Sequence, residues 1–255
     1  MYGAIIGDLA GSIYEFEQTK KIHNINIKNI IEDNSFYSDD TILTIAIADA
    51  ILNGKDYEKY LRHYVREYSS YKPNFEPYFK TPFSPNLIKW ADSNLIGTSI
   101  GNGAMMRISP IGFMFDTEKE VIDNARLATI PSHNSKEAIE AATKIALAIF
   151  YFRKGFTKEE VYNKLQIELK YKPFEKFNVT CNETIDNCLY VLYNSNGFED
   201  AIRKSIYLGG DTDTNACIVG SMAEALYGVT DELVQKVNSK LPNKFKKILS
   251  KLNYN

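Results

Sequence analysis

Apolar side chains recur along most of this chain at the three-to-four-residue spacing of helices that bury one face. Between residues 56 and 70, Tyr57, Tyr60, Leu61, Tyr64, Val65 and Tyr68 fall on one stripe of a 3.6-residue helix, with Lys59, Arg62, His63, Arg66 and Glu67 off it. Capping boxes open three further segments: Thr117 with Glu120, Thr157 with Glu160, and Thr180 with Glu183. In each, the hydroxyl can accept from an early backbone N–H while the glutamate reaches back to the cap. Gly3, Gly7 and Gly11 recur every four residues beside Ala4 and Ala10, as on a helix packed very closely against a neighbour. The pattern predicts about ten helices and no alternating strand. Stretches 18–37 and 70–86 read as irregular, the second because Pro73, Pro77, Pro82 and Pro85 are excluded from helix interiors. The expected fold is all-α and compact, one domain over residues 1–255 with two long loops that border a site.

Composition narrows the function. The chain has 255 residues, 30 Lys plus Arg against 32 Asp plus Glu, and a formal charge of −2. Such a balance supplies no general attraction to nucleic acid or anionic lipid. Three cysteines, Cys181, Cys188 and Cys217, form neither a disulfide framework nor a CxxC zinc pattern, and are expected as reduced, buried thiols. The longest apolar run, Ile145 to Phe152, is far short of the ~20 residues a spanning helix needs. The opening MYGAIIGDLAGS has no basic region and meets Asp8 too early for a signal peptide. A soluble, cytoplasmic monomer is expected, without a membrane partner.

Two acidic clusters change the picture further. Ser38-Asp39-Asp40-Thr41 and Gly209-Gly210-Asp211-Thr212-Asp213-Thr214 each stand where an apolar helix begins. Helix capping explains one carboxylate at such a place. It does not explain two near-adjacent carboxylates with hydroxyls beside them, which repel unless a cation compensates. Oxygen donors without His or Cys suit Mg²⁺ or Mn²⁺. A third segment, Thr98 to Arg107, carries Gly101-Asn102-Gly103, where bare backbone lets N–H groups approach an anion, although a plain turn before a helix reads the same way. Glu15 follows the glycine stripe and is a candidate to point into a bordering cavity. His133 precedes the long segment at 135–154, a place where a lone histidine is commonly a turn residue; His23 and His63 have no partners in the pattern.

Taken together these segments resemble the ADP-ribosylglycohydrolase family. The resemblance is carried by GAIIGDLAGSIYEF (3–16), SDDTILT (38–44), SIGNGAMMRISPIG (99–112), SHNSKEA (132–138) and GGDTDTNACIVGSMAEALYG (209–228), in the family's order. It implies a helical fold with a cleft for two divalent cations, Mg²⁺ or Mn²⁺. The implied ligands are Ser38, Asp39 and Asp40 with Asp211, Asp213 and Thr214; Ser38 stands where the family often has Thr and keeps the hydroxyl. Glu15 matches a glutamate that contributes to catalysis in some members, with Asp40 and Asp211 as further catalytic candidates. Ser99, Gly101, Asn102 and Gly103 correspond to a loop on the diphosphate or ribose of ADP-ribose, and His133 to a histidine lining that site. The implied activity is release of ADP-ribose from an ADP-ribosylated protein or other acceptor. Rival expectations are a non-catalytic ADP-ribose binder on the same fold and an unrelated di-metal phosphohydrolase.

Overall fold

Helix α1 (Tyr2–Ser12) has no polar face, and every residue from Gly3 to Ser12 is buried. It is a central helix, and its glycines set how it packs. A Cβ on Gly3, Gly7 or Gly11 would stand 2.2, 2.0 or 2.3 Å from the carbonyl oxygens of Gly220, Ala216 and Thr212, so the predicted close neighbour is the helix that carries these residues. The computed structural model describes residues 1–15, 26–73, 81–174 and 176–252. His23, Pro77, Phe16 and parts of both predicted loops lie outside the described residues.

Fourteen helices are present among the described residues, more than the apolar spacing predicts, and no strand. After α1 come α2 (Asp39–Leu52), α3 (Tyr57–Glu67), α4 (Pro85–Ala91), α5 (Gly103–Met106) and α6 (Ser109–Met114). Two long helices follow, α7 (Glu118–His133) and α8 (Lys136–Arg153), then α9 (Lys158–Lys164) and α10 (Cys181–Tyr193). The chain closes with α11 (Phe198–Tyr207), α12 (Thr212–Tyr227), α13 (Asp231–Lys240) and α14 (Asn243–Leu249). One apolar core joins α1 and α12 to α2, α8 and α10, with Ile5, Leu9, Ile45, Ala146 and Val219 fully buried. The three cysteines are free and buried. No helix among the described residues is long and apolar enough to cross a membrane.

All three capping boxes form, opening α7, α9 and α10. Pro85 departs from expectation. It stands at the first position of α4 behind a Ser84 cap, where a missing N–H costs nothing, so the irregular stretch ends two residues early. Arg62 departs too. It lies off the apolar stripe of α3 yet is only 7% exposed. Its guanidinium lies over the Trp90 ring at 4.2 Å and donates to the carbonyls of Ser93 and Leu95 at 2.7 and 2.8 Å. That grip fastens α4 and the following turn against α3.

The glycine-containing segment is held at both ends. Thr98 pairs with His133 and Gly101 with Thr180 in isolated bridges, which strap the segment between the end of α7 and the start of α10. The N-termini of α2 and α12 open toward this strap. The fold thus gathers three chain segments that are remote in sequence.

Candidate active site

The two acidic clusters meet. Thr214 Oγ1, in the first turn of α12, donates to Asp40 Oδ2 in the first turn of α2 at 3.2 Å. Carboxylate oxygens of Glu15, Asp211 and Asp213 all lie within 4.8 Å of one another. Glu15, Asp39, Asp40, Asp211, Asp213 and Thr214 line one cavity of about 790 Å³ with Ser99, Gly101, Asn102, Gly103 and His133. Phe83, Trp90 and Phe177 add apolar wall. A concave site of this size, with converging polar groups set against an apolar wall, suits a nucleotide-sized ligand.

Capping does not use up these carboxylates. Ser38 is the cap of α2, its Oγ accepting from Asp40 N at 3.2 Å, which leaves the Asp39 and Asp40 side chains for other work. Asp211 is the cap residue of α12 but its side chain makes no capping bond. Asn102 Nδ2 donates to Asp211 Oδ2 instead, at 2.6 Å. Gly209 and Gly210 turn the chain into α12 with φ of 72° and 67°, the left-handed region that glycine tolerates. Asp211 and Asp213 are 8% and 4% exposed. Both face the cleft.

Burial pushes the Asp39, Asp40 and Asp213 carboxyls well above the usual range, and mutual repulsion, led by Asp213 on the other two and by Asp211 on Asp213, pushes them further. Burial likewise raises Glu15 to about 11, with Asp213 and Asp211 adding to it. Asp40 Oδ1 is buried with no hydrogen-bond partner. A crowd of oxygen donors that resist ionisation, one of them orphaned in the interior, fits hard divalent cations, which supply the missing charge and the missing partner.

The glycine-containing segment differs in part from expectation. The Gly101 N–H bonds Ser99 Oγ at 3.0 Å and the Asn102 N–H bonds the Val179 carbonyl at 3.0 Å, so neither is free for an anion. The Asn102 side chain braces Asp211. Ser99 is exposed at the rim. His133 is the last residue of α7, 5% exposed, with its ring toward Gly101 and Gly103. Asp92 is solvated and paired with Arg66 on the surface.

Three residues of the site are given no site role by the sequence pattern. Asp8 is fully buried beneath the first cluster, where it accepts from the N–H groups of Ser38 and Thr41 at 2.9 and 3.0 Å and from the Thr41 hydroxyl. It braces the start of α2 from α1, and its burial, with Asp213 nearby, raises it to about 7. A lone Asp inside an apolar, glycine-striped helix was its signal. Asn178 accepts from Asp211 N at 2.9 Å and donates to Thr184 and Asn215, fixing the second cluster; nothing local marks it in the sequence. Arg107, 1% exposed, is the single charge in SIGNGAMMRISPIG and reaches the cleft.

The fold is all-α, and its helix ends converge acidic and hydroxyl side chains on a ligand-sized cleft. The family model for ADP-ribosylglycohydrolase matches residues 1–252, and the chain belongs to that family. Among curated relatives, the chain is 24% identical over 273 residues to the ADP-ribosylarginine hydrolase Tri1 of Pseudomonas putida (strain GB-1), covering 93% of this chain and 72% of that protein. It is 21% identical over 304 residues to the ADP-ribosylhydrolase ARH3 of Mus musculus, covering 89% and 82%. A solved structure titled ADP-ribosylglycohydrolase-related protein complex superposes with a TM-score of 0.71 at 20% identity, over 96% of this chain and 89% of that one, and shows the same fold. Family and relatives are ADP-ribosyl hydrolases, which supports hydrolysis of ADP-ribosylated substrates as the chemistry of this cleft.

Proposed function

We propose that this protein is a divalent-metal-dependent hydrolase that frees ADP-ribose from an ADP-ribosylated acceptor by cleaving the bond at the anomeric carbon. The observation that carries the reading is the junction of two acidic clusters some 170 residues apart, with the Thr214 hydroxyl on Asp40 and Glu15 beside Asp211 and Asp213. Ser38, Asp39, Asp40, Asp211, Asp213 and Thr214 would hold two cations, Mg²⁺ or Mn²⁺. Bound there, the ions would supply positive charge for ribose hydroxyls and make a water a better nucleophile near neutral pH.

The chain's own groups have distinct tasks. Glu15 holds a proton tightly while the carboxylates around it are uncompensated, and in the charge-balanced cleft it is the group to orient the attacking water or take its proton. The water oxygen joins the anomeric carbon, the bond to the acceptor breaks, and the acceptor leaves with a proton. Asn102 keeps Asp211 in place, while Ser99, Gly101 and Gly103 shape the path of the diphosphate or ribose next to His133. Phe83 and Trp90 keep water out of one wall, which strengthens the electrostatics inside. This chemistry differs from glycosidases that work with two unmetallated carboxylates.

Arginine is the acceptor to test first, because Tri1 is named an ADP-ribosylarginine hydrolase. ADP-ribosylated arginine, serine and nucleic-acid substrates should be incubated with chelated protein, then with Mg²⁺ or Mn²⁺ restored, and the products separated by chromatography. Cation-dependent release of intact ADP-ribose is expected. Full turnover after exhaustive metal removal would contradict the scheme. AMP would indicate a phosphohydrolase, and binding of free ADP-ribose with no release from any acceptor a non-catalytic reader.

A further inference from the structure

Arg107 is buried against the cleft and makes no ion pair with a described residue. Its Nη2 donates to Ser132 Oγ at 2.7 Å and lies 3.4 Å from His133 Nδ1, while Ser132 Oγ stands 2.7 Å from the same Nδ1. A guanidinium has donors only, so Ser132 Oγ accepts from Arg107 and its one hydrogen is available to Nδ1. A proton on Nδ1 would instead face an N–H of Arg107 and oblige the serine to accept twice. The geometry leaves Nδ1 as an acceptor and the ring proton on Nε2. Nε2 faces the glycine segment: a Cβ on Gly101 or Gly103 would stand 3.5 or 3.6 Å from it. Among the described residues no group bonds Nε2, and His133 lines the cavity.

We propose that Arg107 and Ser132 are positioning residues that lock His133 as the neutral Nε2–H tautomer, so that its ring offers one hydrogen-bond donor to an acceptor oxygen of the bound ligand. The identity of that ligand rests on the ADP-ribosyl reading; the tautomer does not. Burial, aided by Arg107, also holds the His133 imidazolium well below the usual histidine range, so the ring stays neutral beside the cation. A neutral donor that cannot release its proton fits binding rather than acid catalysis.

The chain has three histidines, so the test is spectroscopically simple. In full-length protein labelled with ¹⁵N-histidine, at neutral pH and without ligand, long-range ¹H–¹⁵N correlations report which ring nitrogen is protonated, and His133→Gln assigns the signal. The expected result is Nε2–H with a bare Nδ1. A proton on Nδ1, or on both nitrogens, would overturn the proposal. Free imidazole has its own tautomer bias, so the lock is tested by substitution. Arg107→Met and Ser132→Ala should each shift the Nδ1 signal toward a tautomer average, whereas Arg107→Lys, which keeps charge and donors, should hold it. An unchanged signal in both of the first two would equally overturn it. For the ligand, ADP-ribose is the probe. His133→Ala should bind it about tenfold more weakly, and His133→Gln, which retains a side-chain N–H, should bind within about threefold of wild type. Failure of ADP-ribose to perturb the Nε2–H signal would overturn the ligand contact while the tautomer result stands separately, so the two failures are distinguishable.

Discussion

Single side chains in the cleft have energetic signatures that separate a cation site from ordinary capping. Asp213 is buried and repels Asp8, Asp39, Asp40 and Glu15. Asp213→Ala should abolish turnover yet leave the metal-free protein as stable as wild type or more so, as read by thermal unfolding with chelator present, because it removes a buried like charge. A stability loss beyond about 2 kcal/mol would mean that Asp213 is structural. Asn102→Ala should lower activity or cation affinity about 10- to 100-fold through Asp211, as loss of a supporting bond around metal ligands commonly does. Wild-type rates would deny it that role. At this scale the sequence was half legible. The clusters at 38–41 and 209–214 announce themselves because paired carboxylates at helix starts exceed what capping needs. Asn178 does not, since an amide in a loop gains meaning only when folding brings Asp211 N to its Oδ1.

Among the elements, the pair α1–α12 controls the site's geometry. The Gly11 backbone lies so close that a Cβ there would be 2.5 Å from Asp213 Cα, and Gly7 would meet the Ala216 carbonyl. Gly7→Ala should therefore cost about 3 kcal/mol in urea unfolding, since neither backbone can yield without parting the helices. Gly11→Ala should weaken activity as well, by displacing Asp213. Unchanged stability in the first or unchanged rate in the second would contradict the close packing. The glycine spacing gave this helix pair away in advance, and the three capping boxes marked α7, α9 and α10. The short helices α4, α5 and α6 stayed illegible, because four to seven residues are too few to show a period and prolines stand at the start of two of them. Arg62 shows the complementary failure: an arginine off an apolar stripe reads as solvated, while its stem and fork serve Trp90 and two carbonyls.

For the whole molecule, the acid groups couple the site to stability. Asp8, at about 7, and Glu15, at about 11, hold protons more tightly folded than unfolded, as do Asp39, Asp40 and Asp213. Their contribution is fully present below the ordinary carboxylate range and is lost as pH rises through the folded values. That loss should be what a bound cation offsets. The gain in Tm on adding Mg²⁺ or Mn²⁺ should accordingly keep growing with pH through about 7. A gain already constant above about pH 5 would indicate ordinary surface carboxylates.

The most direct test of the account is crystallographic. Crystals grown with Mn²⁺ and measured for anomalous scattering should show manganese in the cleft, ligated by Asp39 or Asp40 from one cluster together with Asp211 or Asp213 from the other. Manganese bound only elsewhere, or held by one cluster without the other, would contradict it.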